Sequence, residues 1–490
     1  MSKLVLDPVI GTFKGLFRIG KFFIKGYILK KECGARFASN NEQREILNSS
    51  NKGFLIDGIN KRISEDDSFR HIAIIAKPGG GKTTGFIIPN ILDKSKQNCS
   101  MLITDPSGEI FEKTSNQLHK QGFEIVLLNP GDIDISARFN PFHGLGPEDI
   151  TTIEQICSSI ILSKYGNDKE PIWNEGAISL LEIFAKCLAY SQPEYLNVPN
   201  LNYLIQMFGT DGSTLDDWIV ENSINPYDIN DKSIINSWIG ITASNQNMLS
   251  SYSTIVKTAL KQLNNRQIQK LLGSNDIDLK RFKKNKTAIF LSVPENEQEY
   301  FQFIINMFYS SFFSAMMKKR PDKNTDLSIY CFLDEFGNAY VDNFKTIINN
   351  LRKYRVGLAM VLQGTAQFSE KYGEDTAKSI KSGIGSYLIY SGADYETAQE
   401  QSKIIGKKVL VQRNKFEEVV DKYSQIELLS ADKIRTLNDN QALFISGNKH
   451  PFIINIQPYY KNSTFSRMAN NGAFLLPENN SQRISHQLYI

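Results

Sequence analysis

Eight consecutive residues constrain this chain more than any others: Ala76-Lys77-Pro78-Gly79-Gly80-Gly81-Lys82-Thr83. An apolar run at 70–76 (RHIAIIA) leads into them, and a helical pattern from about 83 to 92 follows. Strand, glycine cluster and helix in that order define a loop that turns tightly and aims consecutive backbone N–H groups at an anion, with the positive end of a helix behind it. Lys82 is placed to reach a phosphate and Thr83 to offer a hydroxyl to Mg²⁺, so residues 76–83 fit the looser Walker A pattern, with Thr84 in the same phosphate-binding set. Ala76 stands in the first glycine position, which such a loop tolerates. The bare pattern also describes an ordinary glycine turn; its strand–helix context selects the phosphate-binding reading.

Further apolar runs extend the α/β reading. Strands are predicted at 100–104, 124–128, 287–293, 328–333, 356–362 and 386–390, with a strand pair near 441–457. Helices are predicted at 296–319, about 342–354 and 394–405. Between about 147 and 281 strand runs give way to helical periodicity, as in 174–190 and 248–263. Alternating strands and helices argue for a parallel sheet. The chain is therefore expected to form one discontinuous α/β nucleotide-binding domain, 34–147 with 284–460, interrupted by an all-α domain at 148–283. Residues 461–490, rich in Asn and Ser, are expected to form a flexible tail.

The second half of the site is predicted some 250 residues after the first. The apolar strand 328–333 (SIYCFL) ends in Asp334-Glu335. Asp334 at that strand end suits the Mg²⁺ water shell, and Glu335 suits a general base acting on an attacking water. An Asp-Glu pair alone is equally a solvated strand end; the upstream loop gives it meaning. Gln363, at the tip of strand 356–362, is a candidate sensor of the γ-phosphate. The basic run Arg352-Lys353-Tyr354-Arg355 ends the helix before that strand; an exposed Arg there can stabilise transition-state charge in a neighbouring subunit, or simply be a solvated helix end. A last cluster, Lys280-Arg281-Phe282-Lys283-Lys284, offers cations for DNA phosphates and a ring for stacking on bases, against the plainer reading of a solvated linker.

Composition narrows the partners. The 490 residues carry a formal charge of +4, but residues 1–36 alone hold eight basic and two acidic residues. The remainder is near neutral, so any nucleic-acid contact must come from local placement. Lys14, Arg18, Lys21 and Lys25 form one helical stripe among Phe13, Leu16, Phe17, Phe22, Phe23, Ile24 and Ile28. That basic amphipathic pattern, residues 10–29, suits an anionic membrane surface or a membrane partner, or a helix packed on its own domain with a solvated basic face. The longest uncharged stretch, 300–317, contains several polar residues and reads as a buried helix rather than a span. Five cysteines without a CxxC pair point to reduced thiols, with neither a zinc site nor a disulfide framework.

Taken together these segments resemble the coupling-protein ATPases of type IV secretion and conjugation (the TraG/TraD-like proteins). The likeness runs in order through about 34–457: KPGGGKTTGFIIPNIL (77–92), TDPSGEIFEKTS (104–115), LNPGD (128–132), RFNPF (138–142), PIWNEGAISLLEIF (171–184), SYSTIVKTALKQL (251–263), FLDEFGN (332–338), LRKYRVGLAMVLQGTAQFSEKYG (351–373) and DYETAQEQSKIIG (394–406). The resemblance implies a RecA-like domain interrupted by an all-α domain, working as a ring, commonly a hexamer. It implies ATP hydrolysis with Mg²⁺, coupled to delivery of DNA and its relaxase, or of protein effectors, into a secretion channel. Lys82 and Thr83 match the family's Walker A pair, Asp334 and Glu335 its Walker B pair, and Gln363 its glutamine after the next strand. Arg352 falls at the inter-subunit arginine, with Arg355 one turn on as the other candidate.

Three departures accompany the likeness. Ser107 stands where the family usually has Lys, Ala76 replaces a glycine, and the amphipathic segment stands where the family usually has transmembrane helices. The last implies a location at the cytoplasmic face of the bacterial inner membrane, held there by residues 10–29 of the basic N-terminal segment 1–33 or by a membrane subunit. A docking scaffold that binds nucleotide and turns over little is the alternative from another class; the intact Lys82, Thr83, Asp334 and Glu335 argue against it.

Overall fold

The computed structural model describes residues 34–165, 171–338, 340–412, 422–476 and 486–490. The basic amphipathic segment lies outside the described residues. No helix among those described is long and apolar enough to cross a membrane.

Among the described residues there are eleven strands: β1 (Ile72–Ile75), β2 (Cys99–Thr104), β3 (Glu124–Leu128), β4 (Thr287–Leu291), β5 (Ser328–Leu333), β6 (Val356–Leu362), β7 (Ser386–Tyr390), β8 (Lys407–Gln412), β9 (Lys422–Glu427), β10 (Gln441–Ser446) and β11 (Phe452–Asn455). Nine form one sheet in the order β11-β10-β7-β1-β6-β5-β2-β4-β3. The seven strands from β7 to β3 are parallel, and β10 and β11 add an antiparallel edge. The parallel strands are continuous apolar runs because helices cover both faces. Successive residues of β1 show this: Ile72 and Ile74 enter one apolar core, Ala73 and Ile75 the other. The strand boundaries agree with the sequence to within two residues. β8 and β9, a separate antiparallel ribbon, were not foreseen; their stretches are rich in charged and polar residues and carry little strand signal.

The helices that matter to the site are α1 (Ile88–Lys94), α2 (Glu109–Lys120), α3 (Ile150–Tyr165), α4 (Pro171–Ser191), α5 (Val198–Met207), α6 (Gln246–Ala259), α7 (Gln298–Met317), α8 (Phe344–Asn350) and α9 (Ser463–Ala469). Among the described residues only helices and turns lie between β3 and β4, and α3 to α6 belong to that insertion. Its apolar residues join the core on one face of the sheet, with α7 packed against α3 at the junction. The two family-like stretches of the insertion meet each other: a Cβ on Gly176 of α4 would lie 2.2 Å from the Tyr252 ring of α6, so only glycine allows this approach.

Part of the expected tail packs on the body. Asn462 caps α9 by accepting from the N–H groups of Thr464 and Phe465, and Phe465, Met468 and Ala469 are buried. Asn471 accepts from Asn116 of α2 at 2.7 Å, and the Phe474 ring sits 4.2 Å from that of His119. The physical reason is the spacing of three apolar residues on one short helix face, which the surrounding Asn and Ser residues mask.

His71, just before β1, is fully buried. Its Nε2 faces the Ile348 carbonyl at 2.9 Å, and its Nδ1 accepts from the Leu358 N–H at 3.2 Å, which requires a neutral ring. Burial lowers its pKa from 6.5 to about 4. As pH falls, the unfolded chain therefore takes up the proton first. This contribution to stability is complete above about 6.5 and is lost between there and about 4, on the order of 3 kcal/mol. Urea melts across that range should show the loss, and a His71→Phe chain should show a flatter acid slope.

Candidate nucleotide site

The site lies at the C-terminal ends of the parallel strands. β1 enters the glycine loop, where Gly79 and Gly81 take φ of 69° and 81°, the left-handed region that favours glycine. The Gly80 N–H closes the turn on the Lys77 carbonyl at 2.9 Å. The helix that follows opens with a wide π-type turn over Thr83–Ile87, in which the Ile88 N–H donates to the Thr83 carbonyl, and continues as α1. Thr84 Oγ1 donates to the Gly81 carbonyl at 3.4 Å, which ties the helix start back to the loop.

Sheet order brings the distant carboxylates here. β6 lies between β1 and β5, so the end of β5 stands two strands from the loop. Lys82 is 8% exposed, and its Nζ lies 3.9 Å from Asp334 Oδ1 and 3.8 Å from Glu335 Oε1. Thr83 Oγ1 donates to Asp334 Oδ2 at 3.2 Å. Burial raises the Asp334 pKa, while Lys82 and the Thr83 hydroxyl pull it down. Burial also raises Glu335; Lys82 opposes this and the negative charge of Glu295 adds to it. Glu335 has a φ of 56°, a conformation that L side chains rarely adopt and that is concentrated at functional sites.

Glu295 is a site residue that the sequence reading missed. It follows β4 in the turn Glu295–Glu297 and lies close enough to Glu335 for its negative charge to help raise the Glu335 pKa. The available signal was another acidic residue soon after a buried parallel strand, past Ser292-Val293-Pro294. Gln363 lies just past β6, between the loop and the Asp334 strand, and its side chain is exposed. Its N–H donates to Gln367 Oε1 at 2.8 Å.

Asp105 ends β2 and caps α2: it accepts from the Phe111 N–H at 2.6 Å, and burial raises its pKa against the pull of backbone N–H groups from Phe111, Ile110 and Gly108. Ser107, the departure with no assigned role, bridges this cap. Its Oγ lies 3.3 Å from Asp105 Oδ1 and accepts from the Glu109 N–H.

The two candidate arginines stand at the other end of the sheet. They precede β6, and the Arg355 carbonyl pairs with the Ile329 N–H at the start of β5. β6 separates them from their own site by about 23 Å, taking 3.3 Å per residue. Arg355 is committed within its chain: it donates to Ser328 Oγ at 2.7 Å and to the Asp326 carbonyl at 3.2 Å, and lies 3.6 Å from Glu65. Arg352 is exposed. The basic cluster at 280–284 does not present a stacking ring. Phe282 is 1% exposed and packs edge-on against Phe312 at 5.4 Å. Lys283 donates to the Met316 and Lys319 carbonyls, and Lys284 pairs with Asp326. Its apolar ring is held by the core, which overrides the base-stacking reading.

A family model described as type IV secretory system conjugative DNA transfer matches residues 30–482. The chain belongs to that family. Protein VirD4 of Rhizobium radiobacter is 21% identical over 425 residues, which cover 83% of this chain; the chain spans 59% of that relative's length. The bacterial conjugative coupling protein TrwB, in a trigonal form with sulphate, matches with a TM-score of 0.67 and 16% identity over 86% of this chain and 94% of that one. TrwB in complex with ADP and Mg²⁺ matches with a TM-score of 0.66 and 16% identity over 87% of this chain and 94% of that one. The fold is therefore that of the family: a RecA-like α/β domain interrupted by helices.

The contrast between the arginines is measurable. Arg355→Ala should lower unfolding stability by about 1–3 kcal/mol, since it strands the partners of a charged donor. Arg352→Ala, on the exposed face, should change it by less than about 0.5 kcal/mol. Thermal or urea melts of the two variants check both.

Proposed function

We propose that this chain is a ring-forming ATPase that couples ATP hydrolysis to recruitment and transfer of conjugative DNA and its relaxase into a type IV secretion channel. The observation that carries the reading is the convergence of Lys82, Thr83, Asp334 and Glu335 within hydrogen-bond or ion-pair distance at one end of the sheet. One buried cation facing two carboxylates, beside a loop of left-handed glycines, fits a triphosphate held together with a divalent ion. Thr83 would offer its hydroxyl to Mg²⁺ and Asp334 would hold the ion's water shell, and the ion would neutralise charge on the phosphates. TrwB has been solved in complex with ADP and Mg²⁺, which supports a nucleotide and a divalent ion as what this site takes.

The chain's own groups then divide the work. The N–H groups of residues 77–84, with Pro78 lending stiffness rather than a donor, cradle phosphate oxygens, and Lys82 moves from its carboxylate partners to them. Glu335, adjacent to Asp334 and held in a strained backbone, orients a water and accepts its proton. Its raised pKa makes it a better proton acceptor than an ordinary carboxylate. Gln363, at the neighbouring strand tip, senses the γ-phosphate. Arg352 cannot reach its own site, so it serves the site of a neighbouring subunit in a ring, which we infer to be a hexamer. The all-α insertion, 148–283, meets the incoming cargo, and residues 10–29 attach the ring to the inner membrane's cytoplasmic face or to a membrane partner.

ATPase assays with single- and double-stranded DNA test the proposal. DNA should stimulate turnover, and its failure to do so would favour protein effectors as cargo. Glu335→Gln should keep nucleotide binding and lose turnover by about 10²-fold or more, whereas Lys82→Ala should lose both. Arg352→Ala should lose about 10³-fold. Mixing it with Glu335→Gln should restore part of the activity, because one interface in a mixed ring then pairs an intact Glu335 with an intact Arg352. No recovery on mixing would place Arg352 outside the reaction.

A further inference from the structure

Gln367, in the short helix Ala366–Tyr372 after β6, touches two parts of the candidate site at once. Its Oε1 accepts from the Gln363 N–H at 2.8 Å. The same amide lies against Gly337, in the turn Phe336–Asn338 that follows Glu335. A Cβ on Gly337 would stand 2.4 Å from Gln367 Cδ and Nε2 and 2.5 Å from its Oε1. The amide therefore fills the place where any other residue at 337 would put its side chain. One partly buried side chain spans the gap between the strand tip that carries Gln363 and the turn that carries Glu335.

Neighbouring bonds lock both ends of this span. The Thr365 N–H donates to Thr397 Oγ1 at 3.0 Å, and the Thr365 hydroxyl donates to Glu400 Oε2 at 2.7 Å. Glu400 is in turn paired with Lys381 at 3.1 Å. At the far end of the helix the Tyr372 hydroxyl accepts from the Val341 N–H at 2.9 Å, and its ring stacks on that of Tyr340 at 5.4 Å. The helix thus holds the chain beyond Gly337 as well as Gly337 itself. Through all of this the Gln363 side chain stays exposed, so its main chain is fixed while its amide is free to meet a ligand. Groups that flank a reacting atom keep their geometry only when such supporting bonds hold them, and a misplacement of about 1 Å can cost about 10²-fold in rate.

We propose that Gln367 is a positioning residue for nucleotide hydrolysis. It sets the spacing between Gln363 and the turn that carries Glu335, and acts only through them. The inference rests on the ATPase reading of this site.

Steady-state kinetics of the full chain test it. Gln367→Met keeps the length of the side chain and removes the acceptor, so kcat should fall about tenfold while the KM for ATP stays within about twofold. Gly337→Ala displaces the amide without altering it, and should lower kcat to a similar extent. The double variant should be no slower than either single one, because both break the same spacing. Unchanged kcat in Gln367→Met, or losses that simply multiply in the double variant, overturns the proposal. Hydrogen exchange without nucleotide gives a readout apart from activity: the Gln363 amide should exchange about fivefold or more faster in Gln367→Met, at an unchanged melting temperature. Equal exchange in the two chains also overturns it. If Glu335→Gln abolishes turnover and Gln367→Met does not, this inference falls and the ATPase reading stands. If the unaltered chain hydrolyses no ATP, that reading falls and takes this inference with it.

Discussion

The site depends on one buried cation. Lys82 sits between Asp334 and Glu335 with little access to water. Each of the three charges would be costly there alone, and removing one partner from a buried set costs more than the set gains. The arrangement therefore ties the glycine loop after β1 to the end of β5 across the intervening β6. It also holds Glu335 in a left-handed backbone that nothing in its own sequence favours. The loop and the carboxylate pair are two halves of one electrostatic unit, and the sheet exists in this order around them.

The two ends of that sheet have opposite characters. At the C-terminal ends, parallel strands leave helix N-termini and polar turns facing one crevice, which is where Lys82, Asp105, Glu295, Asp334 and Gln363 collect. At the N-terminal ends, side chains are used for construction: His71 joins α8 to β6 through a neutral ring, and Arg355 ties β5 to the turn before it. Arg352 stands on that constructive end with its side chain exposed. A strand's length separates it from the chemistry in its own chain, so its use requires a second copy.

Much of this was legible in advance because it is local. A continuous apolar run bounded by polar residues predicts a buried parallel strand, and a glycine cluster between strand and helix predicts a phosphate loop. Asp334, Glu335 and Gln363 were found because each directly follows such a run. Glu295 follows one too, but a Pro and two further polar residues make its turn read as ordinary surface. Phe282 misled because its neighbours are all cations; only the packing of Phe312 reveals that the ring points inward. The β8–β9 ribbon and α9 were missed because short elements rich in polar residues are specified by what they pack against.

By itself, the sequence determined the α/β class, the place of the helical insertion and the residue types at the nucleotide site, since these follow from hydrophobic period and from the backbone freedom of glycine. Only the tertiary structure decided which groups meet. It brought Lys82 to two carboxylates 250 residues away, separated Arg352 from its own site, committed Arg355 to its own chain and set the Gln367 amide against Gly337. Strand order and strand length fix those relations, and both arise from long-range packing of a whole sheet that no local pattern encodes.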